Sequence, residues 1–218
     1  MKALVIANGV LEDTTLWEGE IGQAELIVAA DGGARHARSL GLRPDAVVGD
    51  GDSLDAETAR WLEEQGVLRV AYPADKDETD LELALLYAVR AGAGEILVLG
   101  AQGGRPDQML ANLLLLAHPD LAGCRVRLLG AAYQALVLRG GEEVVLRGRV
   151  GDTLSLLPLS EARGVHASGL RWSLGGDTFP LGPARGISNE LTSPQARISL
   201  EEGLLLIVHL RRSEEVRP

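Results

Sequence analysis

Carboxylates crowd three short segments of this sequence: ADGG at 30–33, GDGDS at 49–53 and DKDETD at 75–80. Each follows an apolar run that reads as a buried strand: ELIVAA, DAVVG and VLRVAYP. Strand ends that converge in space bring Asp31, Asp50, Asp52, Asp77 and Asp80 together. Ionised carboxylates sharing a site raise one another's pKa, so a cation has to accompany them. Oxygen ligands suit a hard divalent ion, most simply Mg²⁺, whose shell is usually completed by a substrate phosphate. The chemistry implied is phosphate handling.

Each motif also has a plainer reading. In GDGDS, Asp50 and Asp52 face one side if the chain is extended, and Gly49 and Gly51 let the backbone approach a ligand. The alternative is an Asx turn leading into a helix capped by Asp55. In DKDETDLELAL, Asp77 or Thr79 caps a helix, and Glu78 and Asp80 sit in its first turn, where acids favour the helix dipole. That does not account for four carboxylates in six positions with Lys76 between them. Lysine is scarce, with only Lys2 and Lys76 against 19 arginines. A compact ammonium suits a phosphate contact where a broad guanidinium does not fit.

A third strand end carries GAQGGRPDQMLANL at 100–113. Glycines 100, 103 and 104 let amide N–H groups point inward, and the following helix N-terminus favours phosphate. Arg105 can grip phosphate oxygens through two parallel hydrogen bonds. Asp107 is either the N-cap or a ligand. No GK[ST] follows, so this is not a Walker A loop. Further on, Trp172 in GLRWSL either stacks on a flat ring or packs in a core or interface. Ser188 and Asn189, in RGISNEL at 185–191, either hydrogen-bond a substrate or form a turn. The four histidines show no ligand-like spacing, and Trp17 and Trp61 read as structural.

The elements that must position these residues alternate. Strands are expected at 3–7, 26–30, 46–48, 68–71, 95–99 and 125–129, and helices at 34–40, 56–65, 79–91 and 108–117. Short apolar strands between amphipathic helices indicate a mostly parallel sheet covered on both faces, which binds ligands at its carboxyl edge. After Gly130 the pattern becomes short alternating runs, QALVLR, EEVVLRG, DTLSLLPL, ARISL and LLLIVHL, with no helix. The fold class expected is α/β: an N-terminal nucleotide-binding domain over 1–133, then an antiparallel β-sandwich or barrel over 134–218.

Bulk properties narrow the partners. The chain has 218 residues, 46% of them hydrophobic but only 3% aromatic, so Leu, Val and Ala must fill the core. The net charge of −10 lies wholly in residues 1–133, which hold 21 acidic and 11 basic residues. Such a surface argues against nucleic acid, which needs basic patches. The one cysteine, Cys124, excludes a disulfide within the chain. MKALVIANGV lacks a signal peptide's cleavage region, and MLANLLLLA is too short to span a bilayer. A cytoplasmic protein without membrane attachment is expected.

Taken in order, DGG at 31–33, GDGDS, KDETD at 76–80, GGRPDQMLANL at 103–113, SLLPL at 155–159, GLRWSL at 169–174 and ISNE at 187–190 resemble the thiamine pyrophosphokinase family. The resemblance spans nearly the whole chain. It implies an α/β domain followed by a β-domain, ATP as co-substrate, Mg²⁺, and diphosphate transfer to the thiamine hydroxyl with release of AMP. It further implies a homodimer, with thiamine between the α/β domain of one subunit and the β-domain of the other. Asp50, Asp52 and Asp80 would then hold metal, with Asp31 and Asp77 adjacent. Asp52, Asp77, Asp80 and Lys76 would serve catalysis, Asp52 or Asp80 orienting the substrate hydroxyl. Asp31, Gly32, Thr79, Gly103, Gly104, Arg105, Asp107 and Asn112 would surround the nucleotide, and Trp172, Ser188 and Asn189 the thiamine. Two departures stand out: Gln108 replaces a frequent His, and GAAYQAL at 130–136 lacks the usual acidic and Asn residues. The competing readings are the same transfer to another alcohol such as a hydroxymethyl-pterin, a phosphohydrolase, and a non-catalytic nucleotide-binding module.

Overall fold

The computed structural model describes residues 1–212 and separates into two compact units, the first spanning Met1–Ala131 and the second starting at Ala132. In the first unit, β1 (Lys2–Ile6) leads through a short 3-10 turn to α1 (Glu18–Ile21). Then follow β2 (Leu26–Ala30), α2 (Gly33–Ser39), β3 (Ala46–Gly49), α3 (Ala56–Glu64), β4 (Leu68–Ala71), α4 (Asp80–Arg90), β5 (Glu95–Leu99), α5 (Pro106–Leu115) and β6 (Arg125–Leu129). The strands lie in the order β6-β5-β1-β2-β3-β4, and every pairing among them is parallel.

The central strands are buried on both faces. Ala3, Leu4, Val5 and Ile6 of β1 are sealed, and so is all of β5 beyond Glu95. Leu4, Ile6, Leu97 and Leu99 join Trp17 in one core cluster. The Trp17 indole N–H donates to the Gly130 carbonyl at 2.7 Å, so the ring has both an apolar seat and a polar partner. Helix starts follow local chemistry. Asp55 caps α3 by accepting from the Thr58 amide at 2.8 Å, and Thr79 caps α4 by accepting from the Glu82 amide. Pro106 opens α5 at its first position, where its missing N–H costs nothing. The apolar helix α4 buries Leu81, Leu83, Leu85 and Leu86, whereas α5 buries no residue and exposes Met109, Leu110 and Leu114.

The second unit comprises β7 (Tyr133–Arg139), β8 (Glu143–Arg147), β9 (Thr153–Pro158), β10 (Ala162–Ser168), β11 (Leu174–Phe179), β12 (Asn189–Glu190), β13 (Gln195–Ser199) and β14 (Leu204–Leu210). Its strands pair antiparallel in two layers, β12-β9-β14-β7 and β11-β10-β13-β8. Alternation drives this. In β8, Val144 and Leu146 point inward while Glu143, Val145 and Arg147 face out. Both layers feed one core of Leu136, Leu154, Leu156, Leu205 and Ile207 against Val144, Leu146, Val165 and Ile198. This is a β-sandwich attached to an α/β unit, the expected fold class. No helix among the described residues is long and apolar enough to cross a membrane.

Candidate active site

In the first unit, β1 lies between β2 and β5, so the strand order reverses there. Parallel sheets bind ligands outside the carboxyl ends of strands at such a point. A cleft of about 230 Å³ opens there. Its lining includes Asn8 after β1, Asp31 after β2, Thr79 and Asp80 at the start of α4, the turn Gly100–Gly103 after β5, and Asn112 on α5.

Asp31, Asp50 and Asp52 each place a carboxylate oxygen within 4.8 Å of the others. Asp31 is 2% exposed and adopts a left-handed backbone, φ 42°. A side chain there carries strain of about 1–2 kcal/mol, of the kind that concentrates at ligand sites. Its Oδ2 accepts from the Ser53 amide at 3.0 Å, while Oδ1 is buried and, among the described residues, has no hydrogen-bond partner. Burial raises the Asp31 pKa; the Ser53 hydrogen bonds oppose that, and the Asp80 and Asp50 carboxylates add to it. Asp50 goes the other way: the Asp52 amide, at 3.1 Å, and then Lys76 hold its pKa below the usual carboxylate value.

Lys76 bridges the acids, with Nζ 2.9 Å from Asp80 Oδ1 and 3.3 Å from Asp50 Oδ2. Its hydrogen bond to Asp80, aided by Asp50, raises its pKa above the ordinary lysine value. Asp80 abuts the cluster: a Cβ added at Gly49 would fall 2.9 Å from Asp31 Cβ and 3.0 Å from Asp80 Oδ1. One ammonium thus serves two carboxylates and leaves Asp31 Oδ1 uncompensated. Clustered acid oxygens, one of them buried and unpartnered, are a donor set that fits a hard divalent cation.

Not every residue singled out in the sequence falls here. GDGDS is a turn rather than an extended strand, with Gly51 at φ 84° and the Asp52 amide bonded back to Asp50. Asp52 is exposed, and its Oδ1 accepts from Ser53 Oγ at 3.0 Å. Asp77 is exposed and makes no side-chain hydrogen bond or ion pair among the described residues. Gly103, at φ 84°, lines the cleft, and a Cβ there would strike Val10 at 2.2 Å. Gly104, Arg105 and Asp107 lie off the cleft lining. Arg105 donates twice to Asp107, at 2.6 and 3.2 Å, and caps α5 by backbone alone, so Asp107 is not the N-cap. Asn112 Nδ2 donates to the Ala101 carbonyl at 2.7 Å and so holds the Gly-rich turn.

Two cleft residues were absent from the sequence reading. Asn8 lies over Gly32, where an added Cβ would meet its Nδ2 at 2.4 Å, and its Oδ1 accepts from Arg35 at 2.8 Å. Gln102, 7% exposed, lines the same cleft. Their signal was positional: each follows an apolar strand, as the acid clusters do.

The second unit holds its own cavity, of about 560 Å³, between Leu156, Trp172, Phe179 and the segment 185–189. Trp172 is 55% exposed, so it is not a core residue. Asn189 fixes its backbone, accepting from the Trp172 amide at 3.1 Å and donating to its carbonyl at 2.8 Å. Ser188 has φ 60°, and its amide donates to Ser155 Oγ at 3.1 Å.

Comparison with known proteins gives a consistent result. Residues 17–128 match the family profile described as thiamin pyrophosphokinase, catalytic domain, and residues 143–205 match thiamin pyrophosphokinase, vitamin B1 binding domain. A curated thiamine pyrophosphokinase of Bacillus subtilis is 28% identical over 202 residues, covering 92% of this chain and 90% of the relative. Thiamine pyrophosphokinase 1 of Oryza sativa is also 28% identical, covering 90% and 81%. The crystal structure of the thiamine pyrophosphokinase from Bacillus subtilis superposes with a TM-score of 0.86 at 26% identity, covering 98% of this chain and all of that one. Two profiles matched in order along one chain, on a fold shared with these relatives, place it in the thiamin pyrophosphokinase family.

Proposed function

We propose that the chain transfers diphosphate from ATP to the primary hydroxyl of thiamine, giving thiamine diphosphate and AMP. The observation that carries this reading is the Asp31, Asp50 and Asp52 cluster, with its unpartnered buried oxygen, beside the cleft at the sheet's reversal point. The first unit takes ATP and the second takes thiamine.

Asp31, Asp50 and Asp52 would hold Mg²⁺, with Asp80 beside them. A divalent ion bound there supplies charge compensation to the phosphate oxygens. The residues of this chain do the rest. The turn Gly100–Gly103 and the start of α5 give backbone amides for phosphate. Lys76 contributes a positive charge that Asp50 and Asp80 keep protonated. Thr79 and Asn112 shape the cleft wall. The acceptor hydroxyl oxygen bonds to the β-phosphorus, the bond from that phosphorus to the bridging α–β oxygen breaks, and AMP leaves. Asp52, which is exposed, or Asp80, which Lys76 engages, would orient the hydroxyl and take its proton. Phosphoryl centres react through loose transition states, so positioning outweighs base strength. Arg105 reaches phosphate by exchanging its Asp107 partner.

Trp172 would stack on the thiamine rings, with Asn189 fixing its backbone and Ser188 at the cavity wall. A homodimer is supported by α5, whose apolar residues lack a cover in the single chain. A cytoplasmic location goes with this reading, and no helix among the described residues is long and apolar enough to cross a membrane. Product analysis after mixing the purified protein with Mg-ATP and thiamine tests the proposal. AMP and thiamine diphosphate formed one for one is the expected result. ADP with thiamine monophosphate would overturn diphosphate transfer, and no thiamine-dependent product would overturn the acceptor.

A further inference from the structure

Two of the residues lining the second unit's cavity are charged, Asp177 and Arg185, and they face each other: Arg185 Nη2 lies 2.6 Å from Asp177 Oδ1. The other Asp177 oxygen accepts from the Gly175 amide at 3.2 Å, and these contacts hold its pKa below the usual carboxylate value. The Arg185 guanidinium sits 5.3 Å from the Phe179 ring centroid. The remaining walls are largely apolar, formed by Leu156, Leu174, Ile187 and the two aromatic rings. Aromatics make up 3% of the chain, yet its single phenylalanine and one of its three tryptophans meet here.

The pair sits at the open rim of the cavity, with the Arg185 side chain 56% and the Asp177 side chain 28% exposed, where an ion pair by itself adds little to stability. A neutral flat ligand would be served as well by apolar residues alone. A ligand with a fixed positive charge changes that balance, and the thiazolium ring of thiamine carries one. The acid then attracts the ligand, and the arginine moderates the attraction and aims the carboxylate. Arg171 adds a second cation, its guanidinium 4.9 Å from the Trp172 centroid and 3.8 Å from Glu190.

We propose that the Asp177–Arg185 pair sets affinity for the cationic ring of the acceptor, Asp177 drawing the ring in and Arg185 opposing it. This rests on reading the cavity as the thiamine site. The two charges must therefore act with opposite sign, which an architectural ion pair would not do: losing either half of a strut weakens the same structure.

The test is calorimetric binding of thiamine, and of an isostere with an uncharged thiophene in place of the thiazolium, to the full chain. Asp177→Asn is expected to weaken thiamine binding about fivefold and Arg185→Gln to tighten it about threefold. The double variant should return close to the starting affinity, and the uncharged isostere should move less than about twofold throughout. Equal weakening by both single variants, parallel shifts with the uncharged isostere, or no shift at all would overturn the proposal. Trp172→Ala separates this from failure of the underlying reading. If it abolishes thiamine binding while the charge variants do nothing, the site stands and the pair's role falls. If it leaves binding unchanged, the cavity is not the thiamine site.

Discussion

Each unit buries an acidic side chain, and the two are treated in opposite ways. In the second unit, Asp152 and His209 are both fully buried, and every contact is matched. Asp152 accepts from the Arg149 and Arg212 amides, each at 2.9 Å, and lies 3.0 Å from His209 Nε2. The other His209 nitrogen faces the Gln134 amide at 3.3 Å. In the first unit, Asp31 is nearly as buried but has one oxygen with no hydrogen bond among the described residues, a left-handed backbone, and acids for neighbours. A satisfied buried network specifies structure; an unsatisfied one stores a demand for a ligand. The same residue type is thus fully satisfied in one unit and left with unmet hydrogen-bonding capacity in the other.

Substitution should separate the two acids most sharply. Asp50→Asn or Asp31→Asn removes an acid from the cluster, and turnover should fall at least about 100-fold, since even partners of metal ligands typically matter 10–100-fold. Stability should hold, or rise by about 1 kcal/mol, as crowded functional charge is removed. Asp152→Asn should do the reverse, lowering the urea-unfolding free energy by about 3 kcal/mol while leaving turnover of the folded protein unchanged. Activity assays and denaturation curves on the same preparations decide it. If Asp31→Asn unfolds the chain, or Asp152→Asn spares it, the functional and structural assignments are exchanged.

Their pH dependences should also carry opposite signs. Asp31 has a raised pKa, so it disfavours the folded state as pH rises from 3.8, where the unfolded carboxyl ionises, through its higher folded value. For Asp152, burial pushes the pKa up, but the Arg212 and Arg149 amides and His209 outweigh it, and the net shift is down. Its stabilisation is present above 3.8 and lost as pH falls through the folded value. His209 is lowered chiefly by burial, with Arg211 adding to that and Asp152 opposing, so its contribution is full above 6.5 and shrinks as pH falls below it. Unfolding free energy measured across this range should therefore lose the Asp152 part of its acid-side decline, below pH 3.8, in Asp152→Asn while the His209 part below 6.5 remains, and lose its Asp31-linked fall with rising pH in Asp31→Asn. Superimposable profiles for the two variants would remove the distinction.

What the sequence revealed depended on how local the cause was. The strands at 26–30, 68–71, 95–99 and 125–129 were legible because each is a short run bounded by turn residues. Ala162–Ser168 and Leu174–Phe179 were not, because ARGVHAS and LGGDTF have weak strand character and are fixed by pairing with each other across register shifts. The four-residue α1 had too little periodicity to declare itself. The acid clusters and their convergence could be read as strand-end features, but not their spacing: the sequence put Asp80 with Asp50 and Asp52 and set Asp31 beside them, and the carboxylates that lie within 4.8 Å of one another are Asp31, Asp50 and Asp52. Asn8 escaped notice because Asn-Gly reads as a turn, and only its approach to Gly32 and Arg35 gives it a site.

The smallest expected effect concerns two asparagines. Asn189 uses both ends of its carboxamide on the Trp172 backbone, so its role is to hold that residue in place. Asn8 uses only Oδ1, on Arg35, and among the described residues its Nδ2 has no hydrogen-bond partner. That leaves two N–H donors over the cleft beside Asp31. If they meet the nucleotide, Asn8→Ala should raise the KM for ATP about fivefold with little change in kcat, the worth of about one hydrogen bond. Arg35→Ala should raise it about threefold, because a carboxamide no longer held by its oxygen presents its donors for less of the time. Arg35 acts through Asn8, so the double variant should be no worse than Asn8→Ala alone. Additive losses would mean that Arg35 binds nucleotide itself. A fall in kcat without a change in KM would move Asn8 from binding to the chemical step, and the contrast with Asn189 would then lie in catalysis rather than in spare hydrogen-bonding capacity.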